Sequence, residues 1–221
     1  QGYSQGVHVA GHYYLIGGLY TSGACIDWFR ESCGGGADYA TIIAEAEQVA
    51  AGSLGAFFIP HMRLANSPNV DPLARGAFIG LHTDMKRGAL FRAIVEGLSY
   101  EVRYSLEPML AYMKLPKLGK VYVAGGGAYN DLYTRIKASI FNHPLTVVSV
   151  KESTALGAAL LGGVGAGVYP DLSTGLAQLR FAQETIDPVP ADAVLYDNAF
   201  HTVYQHIYAA LRPLHQASAR Q

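Results

Sequence analysis

The sequence predicts an α/β domain, a mixed sheet flanked by helices. Short strands and helices alternate through the second half of the chain, which is the pattern of a layered α/β core. Residues 7–20, VHVAGHYYLIGGLY, are rich in β-branched and aromatic residues punctuated by glycine, and read as strands joined by a turn. Such a hairpin brings antiparallel pairing, so the sheet is expected to be mixed. Residues 121–141 run strand, triple-glycine turn, helix without a break. No internal repeat or low-complexity linker interrupts the 221 residues, and one domain is the simplest reading.

The elements follow in order. Thr21 and Ser22 are placed to cap a helix over residues 23–31. Residues 33–36 form a glycine break, and Asp38 caps a second helix over 39–51, whose Ile42, Ile43, Ala46, Val49 and Ala50 share one face. Phe57-Phe58-Ile59 is a short buried strand ended by Pro60, and residues 76–81 read as another short apolar strand or a strand-like connection. Asp84 opens the longest helix, where Phe91, Ile94, Val95, Leu98, Val102, Leu106, Met109 and Met113 recur at helical spacing. Pro108 is expected to kink it or end its regular part. Residues 121–124 form a strand, 129–141 an amphipathic helix and 145–150 a second strand. Residues 154–164 form an Ala/Gly-rich helix suited to close packing, with Gly157–Ala159 at the contact. Residues 171–181 are a loop with a short helix, and a final helix covers 198–214.

Composition narrows the function. Half the residues are hydrophobic and 15% are charged, as in a packed globular core. The formal net charge of -1 shows no basic excess that would suggest nucleic acid or a membrane surface. The longest apolar run, residues 155–168, is broken by glycine and too short to span a bilayer. Cys25 and Cys33 do not make a disulfide framework, so a cytoplasmic setting is expected. Neither His8 with His12 nor His201 with His206 has supporting ligands at metal-site spacing. The chain begins with Gln1 rather than Met, which suggests a piece of something longer.

The strand–GGGAYN–helix unit carries the most chemistry. It places backbone N–H groups at a helix N-terminus, where donors and dipole favour an anion or a polar ligand edge. Glycines let a ligand lie against the backbone. Asn130, on the first helical turn, can offer a donor and an acceptor to a base or ribose. The same turn could serve only to reverse the chain. It also partly matches a dinucleotide fingerprint, since Gly125-x-Gly127 opens a βαβ unit and Glu152 follows the next strand. The third glycine of that fingerprint is replaced by Asn130, and no second βαβ half follows.

Six motifs in order resemble the C-terminal domain of FGGY-family carbohydrate kinases, of the xylulokinase and glycerol kinase type. They are Ser22-Gly-Ala-Cys-Ile-Asp-Trp28-Phe-Arg, Phe57-Phe-Ile-Pro60-His, Asp71-Pro-Leu-Ala-Arg75-Gly76-Ala-Phe, Arg92-Ala-Ile-Val-Glu96-Gly97, Gly125-Gly-Gly-Ala-Tyr-Asn130 and Glu152-Ser-Thr-Ala-Leu-Gly157-Ala-Ala. They lie within residues 17–169. The resemblance implies an actin-like, ribonuclease-H-like domain, with ATP bound between two domains and its γ-phosphoryl passed to a sugar or polyol hydroxyl with Mg²⁺. Gly126, Gly127 and Asn130 match the family's adenosine-binding turn, and Gly23 and Asp27 its other nucleotide-contacting pair. Some members carry a polar amide where this chain has Asp27. Trp28 reads as core, and Arg92 and Glu96 can pair four residues apart on one helix face.

The family's catalytic aspartate belongs to a Gly-Asp-Gln-type motif in the N-terminal half, and no such motif occurs here. The resemblance therefore implies a nucleotide-binding half, without a catalytic residue of its own, whose N-terminal domain holds most of the sugar. A cleft face left bare would be apolar, and a homodimer could cover it. The alternatives are a scaffold or oligomerisation module without chemistry, and a fragment of a dinucleotide-binding oxidoreductase.

Overall fold

A computed structural model of the chain describes residues 2–8 and 11–219. Strands β1 (Ser4–Val7) and β2 (Tyr13–Ile16) pair antiparallel, with Ser4 opposite Ile16. The expected hairpin is present, but its first strand starts earlier than residue 7. The turn call at residues 9–10 lies outside the described residues. Beside it, His8 N donates to His12 O over 2.6 Å, closing the hairpin.

Helices α1 (Gly23–Cys33) and α2 (Tyr39–Glu47) follow, then strands β3 (Phe57–Ile59) and β4 (Ala77–Ile79), also antiparallel. Ser22 occupies the N-cap position of α1 without a side-chain cap bond, and Thr21 Oγ1 instead donates to Pro60 O at 2.7 Å. The predicted Thr21/Ser22 cap is thus replaced by a tether from α1 to the end of β3. Asp38 caps α2 as expected, accepting from Thr41 N at 2.8 Å. Helix α2 stops short of residue 51 because the chain turns at Gly52, which has φ 85°. On α1, Cys25 and Phe29 are buried, whereas Trp28 is half-buried against the core's edge.

Helix α3 (Arg87–Tyr112) is the spine. Its 26 residues span about 39 Å at the α-helical rise. It starts three residues after Asp84, which is exposed; Lys86 holds the N-cap position without a side-chain bond. Pro108 does not end the helix. Ser105 is the last buried residue of the helix and Pro108 is exposed, so the missing N–H lies outside the core. Two of α3's own glycines, both in its first half, mark close packing. A methyl group on Gly88 would meet the Glu45 carbonyl carbon of α2 at 2.7 Å, and one on Gly97 would press into the Phe58 carbonyl oxygen of β3.

The second half builds β5 (Val121–Val123), α4 (Asp131–Phe141), β6 (Leu145–Val148), α5 (Ser153–Gly165), α6 (Leu172–Ala177) and β7 (Gln183–Ile186). Strands β5 and β6 are parallel, and β7 adds antiparallel to β6. The sheet is mixed, as expected, but the antiparallel strand is β7; the hairpin forms a separate two-stranded sheet. Strand β7 escaped notice because QETI is largely exposed and lacks apolar alternation. The expected close packing at Gly157–Ala159 is not formed. A Cβ on Gly157 meets nothing within 4 Å, and the tight contacts are Gly163 against Tyr169 and Gly175 against Tyr169 and Leu160.

The last helical run begins well before residue 198. Helix α7 (Pro190–Ala199) uses Pro190 at its first position, where a missing N–H costs nothing. A π-helical turn (Phe200–Tyr204) then leads into α8 (Gln205–Ser218). The π turn carries about one residue more than a 3.6-residue α turn. It therefore returns Tyr204 to the face that carries Tyr196, eight residues earlier. Both tyrosines reach α3: the Tyr196 hydroxyl donates to Glu96 Oε1 at 2.7 Å, and the Tyr204 hydroxyl to Glu101 Oε2 at 2.8 Å. Tyr100 stacks on Tyr204 with ring centroids 4.8 Å apart.

Two glycine substitutions should act in opposite directions. Gly97→Ala gains helix propensity of about 1 kcal/mol but overpacks against Phe58, costing about 1–3 kcal/mol, so it should destabilise. Gly162→Ala, with nothing within 4 Å of the new Cβ, should stabilise by about 0.5–1 kcal/mol. Chemical denaturation of both variants checks this, and shifts of the same sign would contradict the packing described.

Candidate functional site

The site grows from the connection between β5 and α4. Gly125 adopts φ 87° and ψ -172°, a backbone region closed to side chains, and so turns the chain out of the strand. Gly126–Tyr129 make one short 3-10 turn, and α4 begins at Asp131. Asn130 is therefore not in the first helical turn but is the N-cap. Its Oδ1 accepts from Tyr133 N at 3.0 Å. Folding fixes the amide with its oxygen toward the helix, one lone pair already engaged, which leaves the NH₂ end for a ligand.

The two remaining glycines differ. A Cβ on Gly126 would meet nothing within 4 Å, so this position faces open space. A Cβ on Gly127 would lie 3.2 Å from Tyr133 Cε1, so its missing side chain seats the aromatic ring.

The opposite wall comes from α1. Gly23 sits in its first turn, with open space where a side chain would project. Asp27, one turn on, is exposed, and its Oδ1 accepts from the Tyr39 hydroxyl of α2 at 2.6 Å. Burial, reinforced by that bond to Asp27, pushes the Tyr39 hydroxyl up to about 12. Arg30 lies over the Tyr39 ring at 4.7 Å. Asp27 is thus a carboxylate held in place by a neutral phenol, with Oδ2 still available.

These walls enclose a cleft of about 570 Å³, in the range of small-molecule sites. Gly23, Asp27, Gly126, Gly127 and Asn130 all line it, although residues 27 and 126 are distant in sequence. Ile26, Leu98 and Tyr133 supply its apolar surface, and Lys137 its cation. Lys137 and Tyr133 were missed because neither belongs to a glycine motif. The available signal was their four-residue spacing on α4 behind the Asn130 cap. Trp28 does not line the cleft. Arg92 and Glu96 pair at 2.9 Å in the buried core, away from the cleft, as their spacing suggested.

A somewhat larger cleft, about 650 Å³, lies where α1, α2 and the start of α3 meet. Two of its four charged side chains, Glu45 and Arg87, are bonded to each other, and Arg87 Nη1 also donates to Gly34 O; Asp84 and Lys86 are the other two. Unlike the glycine-turn cleft, it contains none of the five positions Gly23, Asp27, Gly126, Gly127 and Asn130. The βαβ unit of β5, α4 and β6 is followed by antiparallel β7, and no second βαβ half occurs among the described residues. Glu152 is exposed at the N-cap of α5 and does not line the glycine-turn cleft. The dinucleotide pattern is therefore incomplete in three dimensions as well.

Comparison with known proteins gives one consistent answer. The family model described as "FGGY family of carbohydrate kinases, C-terminal domain" matches residues 2–166. Xylulose kinase of Lactococcus lactis is 26% identical over 201 residues, covering 90% of this chain and 40% of that protein. Glycerol kinase of Bordetella parapertussis is 34% identical over 181 residues, 81% of this chain and 35% of that protein. The crystal structure of xylulose kinase from Rhodospirillum rubrum superposes with a TM-score of 0.82 at 26% identity, covering 97% of this chain and 43% of that one. The chain spans about two fifths of the length of the relatives it matches.

The geometry separates the roles of the turn residues. Gly126→Val should leave stability within about 1 kcal/mol of the parent, since its side chain enters open space, yet fill the cleft. Asn130→Asp keeps the cap acceptor but removes the amide donor, whereas Asn130→Ala loses the cap at about 1 kcal/mol. Thermal melts alongside ligand titrations should show Gly126→Val and Asn130→Asp folded but weakened in binding. Unchanged affinity in both would remove the cleft from consideration.

Proposed function

Because the chain belongs to the FGGY family of carbohydrate kinases, through its C-terminal domain, we propose that it is the nucleotide-binding half of an ATP-dependent sugar or polyol kinase. One observation supports this above the others: the five positions matching the family's nucleotide contacts, separated in sequence, meet on one cleft beside a helix N-terminus. The actin-like, ribonuclease-H-like architecture is part of the same proposal.

In that reading the cleft binds and orients ATP. Gly126 gives the ligand access to the backbone, and the Asn130 NH₂ donates to an acceptor on the ribose or base. The N-terminal dipole of α4 favours the nucleotide's negative end. The chemistry is completed by a domain outside this chain. An aspartate there accepts the proton of the sugar hydroxyl, the oxygen attacks the γ-phosphorus, and the bond to the ADP leaving oxygen breaks. This chain positions one reactant and, closing over the other, excludes water. Mg²⁺ accompanies ATP in such kinases; among the described residues no group of three His, Cys, Asp or Glu side chains is placed to hold a metal ion.

A cytoplasmic setting fits a substrate such as ATP. No helix among the described residues is long and apolar enough to cross a membrane. Helix α5 is mostly exposed despite its apolar sequence, with Leu161 at 49%, and Val168 just beyond it at 68%. Such a surface suits contact with the rest of a two-domain kinase or with a second copy of the chain.

Titration calorimetry of the 221-residue chain with ATP and with NAD tests the proposal. ATP should bind and NAD should not. Binding of NAD alone would replace the kinase reading with an oxidoreductase one, and binding of neither by a folded chain would favour a scaffold.

A further inference from the structure

A further cavity lies beside the second half of the spine helix. Strand β2 and residues 17–19 after it face α3, and the gap between them holds about 300 Å³, at the lower end of small-molecule sites. It shares no lining residue with the glycine-turn cleft. Leu15, Leu19, Val102, Leu106 and Met109 make its walls apolar.

Its two polar side chains are both buried, and they differ. Glu101 is 6% exposed and its oxygens are engaged, Oε1 with His61 Nε2 at 2.9 Å and Oε2 with the Tyr204 hydroxyl at 2.8 Å. Ser105 is 8% exposed, and its Oγ has no hydrogen-bond partner. The backbone oxygen of Ser105 is taken by the Tyr3 hydroxyl at 2.7 Å. Ser105 Oγ is directed at Gly17, where a Cβ would lie 2.5 Å from it and 3.2 Å from Met109 Sδ. The φ of Gly17 is not positive, so its backbone does not require glycine. What excludes a side chain there is the space that the hydroxyl and Met109 occupy.

A buried hydroxyl left unbonded is uncommon, because it has given up its bonds to water. One water on Ser105 would fill a small part of this cavity and meet mainly apolar walls, whereas a buried water ordinarily makes about three hydrogen bonds. Charge sets the character of a better occupant. Among the described residues no Lys, Arg or His lines the cavity, and its one carboxylate is already matched, so an ionised ligand would be buried without a counter-charge. A hydroxyl answers Ser105 whichever way the serine proton points, since each group can donate or accept. We propose that this cavity is a binding site for a neutral, mostly apolar small molecule carrying one hydroxyl, anchored by Ser105 between β2 and α3. The site stands independently of the nucleotide reading.

Phenol and benzene are the probes, one with the hydroxyl and one without, and the four methionines are the reporters. Met109 lines the cavity, and Met62 and Met85 do not. With the methionine methyl groups of the 221-residue chain isotopically labelled, phenol should shift the Met109 resonance in an NMR titration and leave Met62 and Met85 in place. Ser105→Ala should weaken phenol about fivefold, the size of one hydrogen bond, and leave benzene as tight as before. A crystal grown with phenol should place its oxygen within hydrogen-bond distance of Ser105 Oγ. A Met109 signal unmoved by phenol, or a Ser105→Ala variant that weakens phenol no more than benzene, overturns the inference. If that variant does not fold, the parent crystal decides: water alone on Ser105 Oγ, with no phenol in the cavity, makes this a hydration site and the inference falls.

Discussion

One buried carboxylate organises this domain. Glu96, on the spine helix, accepts from Arg92 Nε at 2.9 Å, Gly52 N at 3.0 Å and the Tyr196 hydroxyl at 2.7 Å on one oxygen, and from Ser53 Oγ at 2.7 Å on the other. Arg92 in turn donates to Tyr196 Oη at 3.1 Å and lies 3.4 Å from Ala46 O. A charge removed from water must be matched bond for bond or the fold pays several kcal/mol. Here the matching partners come from the end of α2, the turn after it, α3 itself and α7. The charge thereby specifies how four segments meet, which apolar contact alone leaves loose. Five residues on, His61 Nε2 bonds to Glu101 Oε1 at 2.9 Å, and Tyr204 holds the other oxygen, repeating the arrangement lower on the spine.

That constraint explains how the cleft is positioned. Helix α3 contributes Leu98 to the cleft from the face next to Glu96 and Gly97, and α4 packs across it. The α1 wall is fixed to the core by Phe29, whose ring sits 5.7 Å from that of Phe91 on α3. Both walls of the site are thus referred to the same helix. Substitutions at the buried pair would reach ligand binding through geometry, without a contact to the ligand.

Much of this was legible in the sequence because it rests on local chemistry. The Asp38 cap, the β3 strand, the 26-residue helix and the i,i+4 pairing of Arg92 with Glu96 all follow from residue types at short spacing. The ordered motifs brought Gly23 and Asp27 together with the glycine turn, which no periodicity could do. What stayed hidden depends on distant partners. The start of α3 at Arg87 rather than near Asp84 lacks a side-chain cap, and the π turn exists to align Tyr196 and Tyr204 with carboxylates about a hundred residues away. Strand β7 carries no pattern of its own and is defined by its neighbour β6. Lys137 has meaning only once the cleft is seen in three dimensions.

The Asn130 cap has a consequence for selectivity. A free asparagine can present either end of its amide by a half-turn of the side chain, and so greets donor and acceptor alike. Here the rotation is spent: to turn the carbonyl toward a ligand, the helix would have to surrender its bond to Tyr133 N. Ligands that ask for a donor meet an NH₂ held outward by a helix already folded, and ligands that ask for an acceptor must share the carbonyl oxygen with Tyr133 N. The first turn of α4 therefore acts as a valve for ligand polarity, set when the helix forms rather than when the ligand arrives.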